Sequence, residues 1–137
     1  MPPLPGTETI FIIDDESAVL SLTSRMLTRY GYETITATNA KETLHLFEVW
    51  PDLPVDLLLV DIVMPDMNGI ALAEKIWELR PGLPVLFFSA YSEQEILRPV
   101  MARGVPYIAK PFNSSQLTKK IRAVLDAPKA DAASGKT

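Results

Sequence analysis

The sequence predicts an α/β fold in which helices sandwich a doubly wound, five-stranded parallel sheet. Three observations carry that prediction. Short apolar, β-rich runs alternate with stretches of helical periodicity. Two of the runs are apolar almost without interruption. The most conspicuous polar residues follow directly on a run.

The first run, TIFII (9–13), precedes a helix from about Ser17 to Tyr30, where Val19, Leu20, Leu22, Met26 and Leu27 recur at mixed spacings of three and four before Gly31 stops it. The second, YETIT (32–36), leads to Asn39, an N-cap with Glu42 three residues on. The helix that follows turns Leu44, Phe47 and Val49 inward and ends before Pro51. The third, VDLLLV (55–60), runs into the corner DIVMPDMNG (61–69). Beyond it Ile70, Ala73, Ile76, Trp77 and Leu79 form one apolar stripe, closed by Pro81-Gly82. The fourth, PVLFF (84–88), is followed by the polar SEQE and a fourth helix reaching toward Arg103-Gly104. The fifth, VPYIA (105–109), leads to a fifth helix with Leu117, Ile121, Val124 and Leu125 on its apolar face.

Runs three and four are apolar throughout, as strands are when helices cover both faces of a parallel sheet, so they belong in the centre. Run two alternates with Glu33, Thr34 and Thr36, and run five contains Pro106, which cannot donate to a ladder; both belong at edges. The flavodoxin-like strand order 2-1-3-4-5 meets both requirements.

Composition narrows the function. With 47% hydrophobic and 22% charged residues the chain reads as one soluble domain of residues 7–126, between flexible tails at 1–6 and 127–137 that are rich in Pro, Ala, Lys and Ser. A net charge of −4 offers no basic footprint for nucleic acid and disfavours an anionic membrane surface. No apolar run approaches the roughly 18 residues of a membrane span. The start, MPPLPGTETI, lacks the pattern of a secretory signal, so the cytoplasm is the expected address. Without cysteine there is no disulfide, thiolate metal site or cysteine nucleophile.

The polar residues at run ends are Asp14 and Asp15 after the first, Asp61 after the third, Ser89 after the fourth and Lys110 after the fifth. In an open α/β sheet that edge binds ligands, at the switch point between the first and third strands. Three carboxylates brought together there must protonate or share a cation, and hard oxygen ligands suit Mg²⁺ or Mn²⁺. Carboxylates, a cation, a lysine and a hydroxyl suit a phosphoryl group, with an aspartate as nucleophile. Asp61, alone at the tip of the central strand, is the candidate acceptor. Each residue also has a plainer use: Asp14 as a helix cap, Ser89 in a turn, Lys110 on the surface, Tyr107 in edge-strand packing, and Trp50 and Trp77 in packing. His45, with no metal-ligand partner in pattern, reads as a surface or boundary residue.

Taken together, Asp14-Asp15, DIVMPDMNG, FFSA and YIAKPF resemble the receiver domain of two-component response regulators over about residues 8–126. The resemblance implies a switch rather than a turnover enzyme. Asp61 would accept a phosphoryl group from a sensor histidine kinase or histidine phosphotransfer domain. Asp15, Asp61 and the Val63 carbonyl would be direct Mg²⁺ ligands, with Asp14 acting through water. Ser89 and Lys110 would sense the phosphate, Tyr107 would change rotamer, and Lys110-Pro111 would be cis. Homodimerisation through the face of helix four, strand five and helix five is the further partner it suggests. The flanks GTETIFIIDDE and LRPGLPVLFFSAYSE look most like receivers of hybrid sensor histidine kinases, leaving a freestanding receiver and a hybrid-kinase fragment both open. Pro99 implies a shortened or irregular fourth helix with that proline in its first turn. Val63 and Tyr91 would flank the path of the hydrolytic water and lengthen the phosphoryl lifetime. Other readings fit less well: a small-molecule aspartyl-phosphate enzyme needs an acid where Val63 stands, a flavodoxin-like cofactor binder needs more than the acidic DDESAV loop, and the intact acids argue against a degenerate docking module.

Overall fold

Strands β1 (Thr9–Ile13), β2 (Glu33–Ala37), β3 (Leu57–Asp61), β4 (Val85–Ala90) and β5 (Tyr107–Lys110) pair in parallel, in the spatial order β2-β1-β3-β4-β5. The computed structural model describes residues 4–90, Arg98 and residues 104–127, which also include helices α1 (Ser17–Arg29), α2 (Ala40–Val49), α3 (Gly69–Leu79) and α4 (Ser114–Leu125). Helix α4 is the fifth helix of the sequence reading. The segment expected to hold the fourth, with Pro99, falls outside the described residues apart from Arg98, and so does Tyr91.

Alternation along each strand sorts the core into two layers. Phe11, Ile13, Leu58, Val60, Val85 and Phe87 meet α2 and α3 through Ala40, Phe47, Leu72, Ala73 and Ile76. Their neighbours Ile10, Ile12, Leu57, Leu59, Leu86 and Phe88 meet Leu20 and Leu27 of α1 and Leu117 and Ile121 of α4. Every residue of β3 is buried, as its unbroken apolar run requires of a central strand, whereas β2 at one edge keeps Glu33 and Thr36 exposed.

Several expectations shift by a residue or two, each for a local reason. Tyr32 is not in β2: its amide donates to the Leu27 carbonyl at 3.2 Å, so it still belongs to the turn closing α1, with its ring buried. Strand β5 starts after Pro106 rather than at Val105. The proline offers no donor, but its carbonyl accepts from the Phe87 amide at 3.2 Å. Strand β4 runs on to Ala90. Val49 is 62% exposed and Leu22 52%, because each stands two residues, about 200° around a helix, from a buried Phe47 or Leu20. Leu79 is 46% exposed; Arg80 closes that end instead, over the Phe47 ring and donating to the Leu53 carbonyl at 2.8 Å. Trp77 packs half-buried, its Nε1 donating to the Leu83 carbonyl at 2.8 Å, while Trp50 stays half exposed.

Composition places residues 4–6 in a tail, yet the fold gives them partners. The Leu4 amide donates to Thr118 Oγ1 at 2.9 Å, and the Gly6 amide to the Tyr30 carbonyl at 3.1 Å. Among the described residues no helix is long and apolar enough to cross a membrane.

Candidate functional site

Parallel pairing sets the ends of β1, β3, β4 and β5 along one edge, with Ile13 opposite Val60, Asp61 opposite Phe88, and Ala90 opposite Lys110. The residues at those ends therefore meet. Asp14 follows β1 and is fully buried. Its Oδ1 accepts from the Glu16 amide at 2.8 Å, and its Oδ2 accepts from Lys110 Nζ at 3.1 Å. Asp61 ends β3, 4% exposed; its Oδ1 accepts from the Val63 amide at 3.3 Å, and its Oδ2 lies 3.6 Å from Lys110 Nζ. Asp15 is exposed. One oxygen from each of the three carboxylates lies within 4.8 Å of the others.

Asp14 thus does not cap α1. Glu16 holds the N-cap position without a side-chain bond to the helix, and Asp14 instead fixes the turn before it while facing the lysine. Lys110 reaches the acids with its Nζ 4.8 Å above the Phe88 ring, and the Lys110-Pro111 bond is cis, as the motif implies. Burial works against the Lys110 ammonium, but the charge of Asp61 and the hydrogen bond to Asp14 outweigh it and raise its pKa above the usual lysine value. The lysine is therefore a fixed positive charge at neutral pH.

Among the described residues, the three carboxylates of the cluster stand against one ammonium, that of Lys110. All the acids are hard oxygen donors, so the residues present fit a small divalent cation. Ser89 is fully buried on β4 beside Ala109, one residue beyond the partner of Asp61. Tyr107 lies part-buried against the layer of α2 and α3, with Lys120 Nζ 6.0 Å from its ring centre. Val63 exposes its side chain just past Asp61.

Two residues of the corner do more than the sequence disclosed. A Cβ on Gly69 would run into the Asp61 carbonyl oxygen and come within 2.9 Å of Ile62 Cα, so only glycine lets α3 start against the tip of β3. Its place in Asn68-Gly69 marked a chain reversal, but nothing in the spacing marked this approach. Asp66 accepts from the amides of Ala40 and Lys41 at 3.1 and 3.2 Å, a contact made 26 and 25 residues back along the chain. Its only signal was an acid in a loop.

The response regulator receiver domain model matches residues 10–122. The regulatory protein AtoC of Escherichia coli is 33% identical over 117 residues, which are 85% of this chain and 25% of AtoC. Thus the chain spans about a quarter of that relative's length. A CheY-like receiver domain protein from Methanospirillum hungatei superposes with a TM-score of 0.76 at 36% identity, covering 88% of this chain and 95% of that one. The receiver domain of the hybrid histidine kinase CckA superposes with a TM-score of 0.70 at 29% identity, covering 85% of this chain and 98% of that one.

Proposed function

The chain belongs to the response regulator receiver domain family, and from that premise we propose that Asp61 is the phospho-acceptor of its phosphorylation-driven switch. One observation carries the assignment. Asp61 stands at the tip of the central strand, nearly buried, with one oxygen 3.6 Å from Lys110 Nζ and within 4.8 Å of oxygens of Asp14 and Asp15. An oxygen of Asp61 attacks the phosphorus of a phosphohistidine on a sensor histidine kinase or histidine phosphotransfer domain. The new P–O bond forms as the P–N bond breaks, and the imidazole leaves with the bonding pair.

Lys110 stabilises the negative charge that gathers on the phosphoryl oxygens, and Ser89 donates its hydroxyl to one of them. Asp15, Asp61 and the Val63 carbonyl would hold Mg²⁺, or Mn²⁺, directly, and Asp14 would do so through water. When bound, the cation neutralises charge on the phosphoryl group during transfer. Phosphorylation draws Ser89 and Lys110 toward the new group, and Tyr107 follows as the aromatic readout.

The test is exposure to beryllium fluoride or acetyl phosphate with Mg²⁺. A Mg²⁺-dependent adduct that Asp61→Asn abolishes is expected. Its absence from the wild-type protein would overturn the assignment.

A further inference from the structure

The loop after Asp61 is closed at its two ends, by the Ile62 amide on the Phe88 carbonyl at 3.1 Å and the Gly69 amide on the Ile62 carbonyl at 2.7 Å. Between these ends Asp66 reaches across to another element. Its Oδ2 lies 3.1 Å from the Ala40 amide and 3.2 Å from the Lys41 amide, and its Oδ1 lies 3.3 Å from the Ala40 amide. These are the first two amides of α2, which have no partner within a helix and lie at the positive end of its dipole.

The helix already has its own cap. Asn39 accepts from the Glu42 amide at 2.7 Å, and Glu42 Oε1 accepts from the Thr38 amide at 3.1 Å, so Asp66 takes amides that the local cap leaves over. The entry to α2 is tied in turn to the acids, because the Asp14 amide donates to the Ala37 carbonyl at 3.2 Å. A circuit results: Asp14 to the end of β2, to the start of α2, to Asp66, and three residues back along the loop to Val63.

From this circuit we infer that Asp66 is a positioning residue. It latches the loop carrying the Val63 carbonyl to α2, and so holds that carbonyl and Asp61 in register with Asp14 and Asp15 for the divalent cation. The inference rests on the receiver reading, since it is that reading that makes the Val63 carbonyl a ligand. Asp66 acts through the backbone and touches neither cation nor phosphoryl group. Loss of support of this kind, one step removed from the ligands, typically costs about 10–100-fold in metal affinity or activity, and a contact that sets only where a ligand stands is expected to be felt first in affinity.

The test compares the wild type, Asp66→Ala, Asp66→Asn and Asn39→Ala. Mn²⁺ affinity is read from the electron paramagnetic resonance of the free ion, and phosphorylation by acetyl phosphate is followed across a Mg²⁺ series. Asp66→Ala is expected to weaken Mn²⁺ binding about tenfold and to raise the Mg²⁺ needed for half-maximal phosphorylation in parallel. The rate at saturating Mg²⁺ stays near wild type. Asp66→Asn, which keeps one acceptor oxygen, falls between. Asn39→Ala removes the local cap without touching the loop, so it lowers the melting temperature and costs clearly less Mn²⁺ affinity than Asp66→Ala.

Wild-type Mn²⁺ affinity in Asp66→Ala would overturn the latch, as would an equal loss in Asn39→Ala. If Asp66→Ala does not fold, Asp66→Asn decides, and wild-type affinity in that variant overturns the latch. A wild-type protein that binds Mn²⁺ but takes no phosphoryl group would instead overturn the receiver chemistry at Asp61, leaving the affinity comparison to judge the latch separately. No Mn²⁺ binding by the wild type would overturn both.

Discussion

Lys110 is the residue whose environment says most about the site. Its ammonium sits between two buried carboxylates, with a pKa raised above 10.5 because the acids outweigh its burial. A cation whose pKa rises on folding contributes stability that is complete below its unfolded value and lost as pH rises through its folded one. The difference in melting temperature between wild type and Lys110→Met should therefore hold constant through neutral pH and shrink only above about 10.5. Removing that charge leaves Asp14 and Asp61 facing each other, a loss on the order of 2 kcal/mol in metal-free protein. Added Mg²⁺ should restore much of it in Lys110→Met, since its charge stands in for the ammonium; thermal melts with chelator and with Mg²⁺ check this. Gly69 is the second sensitive position. Gly69→Ala puts a methyl against the Asp61 carbonyl and should destabilise the fold by about 1–3 kcal/mol, measurable by urea unfolding, with the phosphorylation proposed for Asp61 lost in proportion to its displacement.

Three of the four described helices begin at an asparagine cap. Asn39, Asn68 and Asn113 each accept from an early amide of their helix, at 2.7, 2.6 and 2.8 Å. Asn113 also completes a reciprocal box with Gln116, whose side chain accepts from the Asn113 amide at 2.9 Å. Asn113→Ala should cost about 1 kcal/mol in chemical denaturation. Its effect on Asp61 phosphorylation should be small, because α4 starts after Lys110-Pro111 and carries none of the acids. Asn39 and Glu42 were legible as a cap from their spacing. That the same helix end also receives Asp66 was not, since a contact spanning 26 residues leaves no local pattern.

Across the whole molecule, the end of the sheet opposite the acids is fastened by charge. Arg122 of α4 donates to both oxygens of Glu8 at 2.7 and 3.0 Å and to Asp126 at 2.6 Å, tying the chain before β1 to that helix. The hydrogen bond from Arg122 leads the effects that hold Glu8 below its usual 4.5. A carboxylate whose pKa falls on folding contributes stability present above its unfolded value and lost as pH falls through its folded one. Glu8→Gln should thus destabilise the fold at neutral pH by about 0.5–1 kcal/mol, as expected of a partly exposed pair, seen as a lower melting temperature, and the gap to wild type should close as pH falls below about 4.5. The sequence by itself determined the alternation of elements, the central and edge strands and the acids at the carboxyl ends. Those follow from apolar periodicity, from the lack of a proline N–H and from local turn chemistry, all short-range properties written in neighbouring residues. Only the tertiary structure decided that Arg80 and not Leu79 closes the end of α3, that residues 4–6 dock on α4 and Tyr30, that α3 starts against the Asp61 carbonyl, and that Asp66 reaches α2. Each of these depends on distances between segments far apart in the chain, which exist only once the sheet has set its strands side by side.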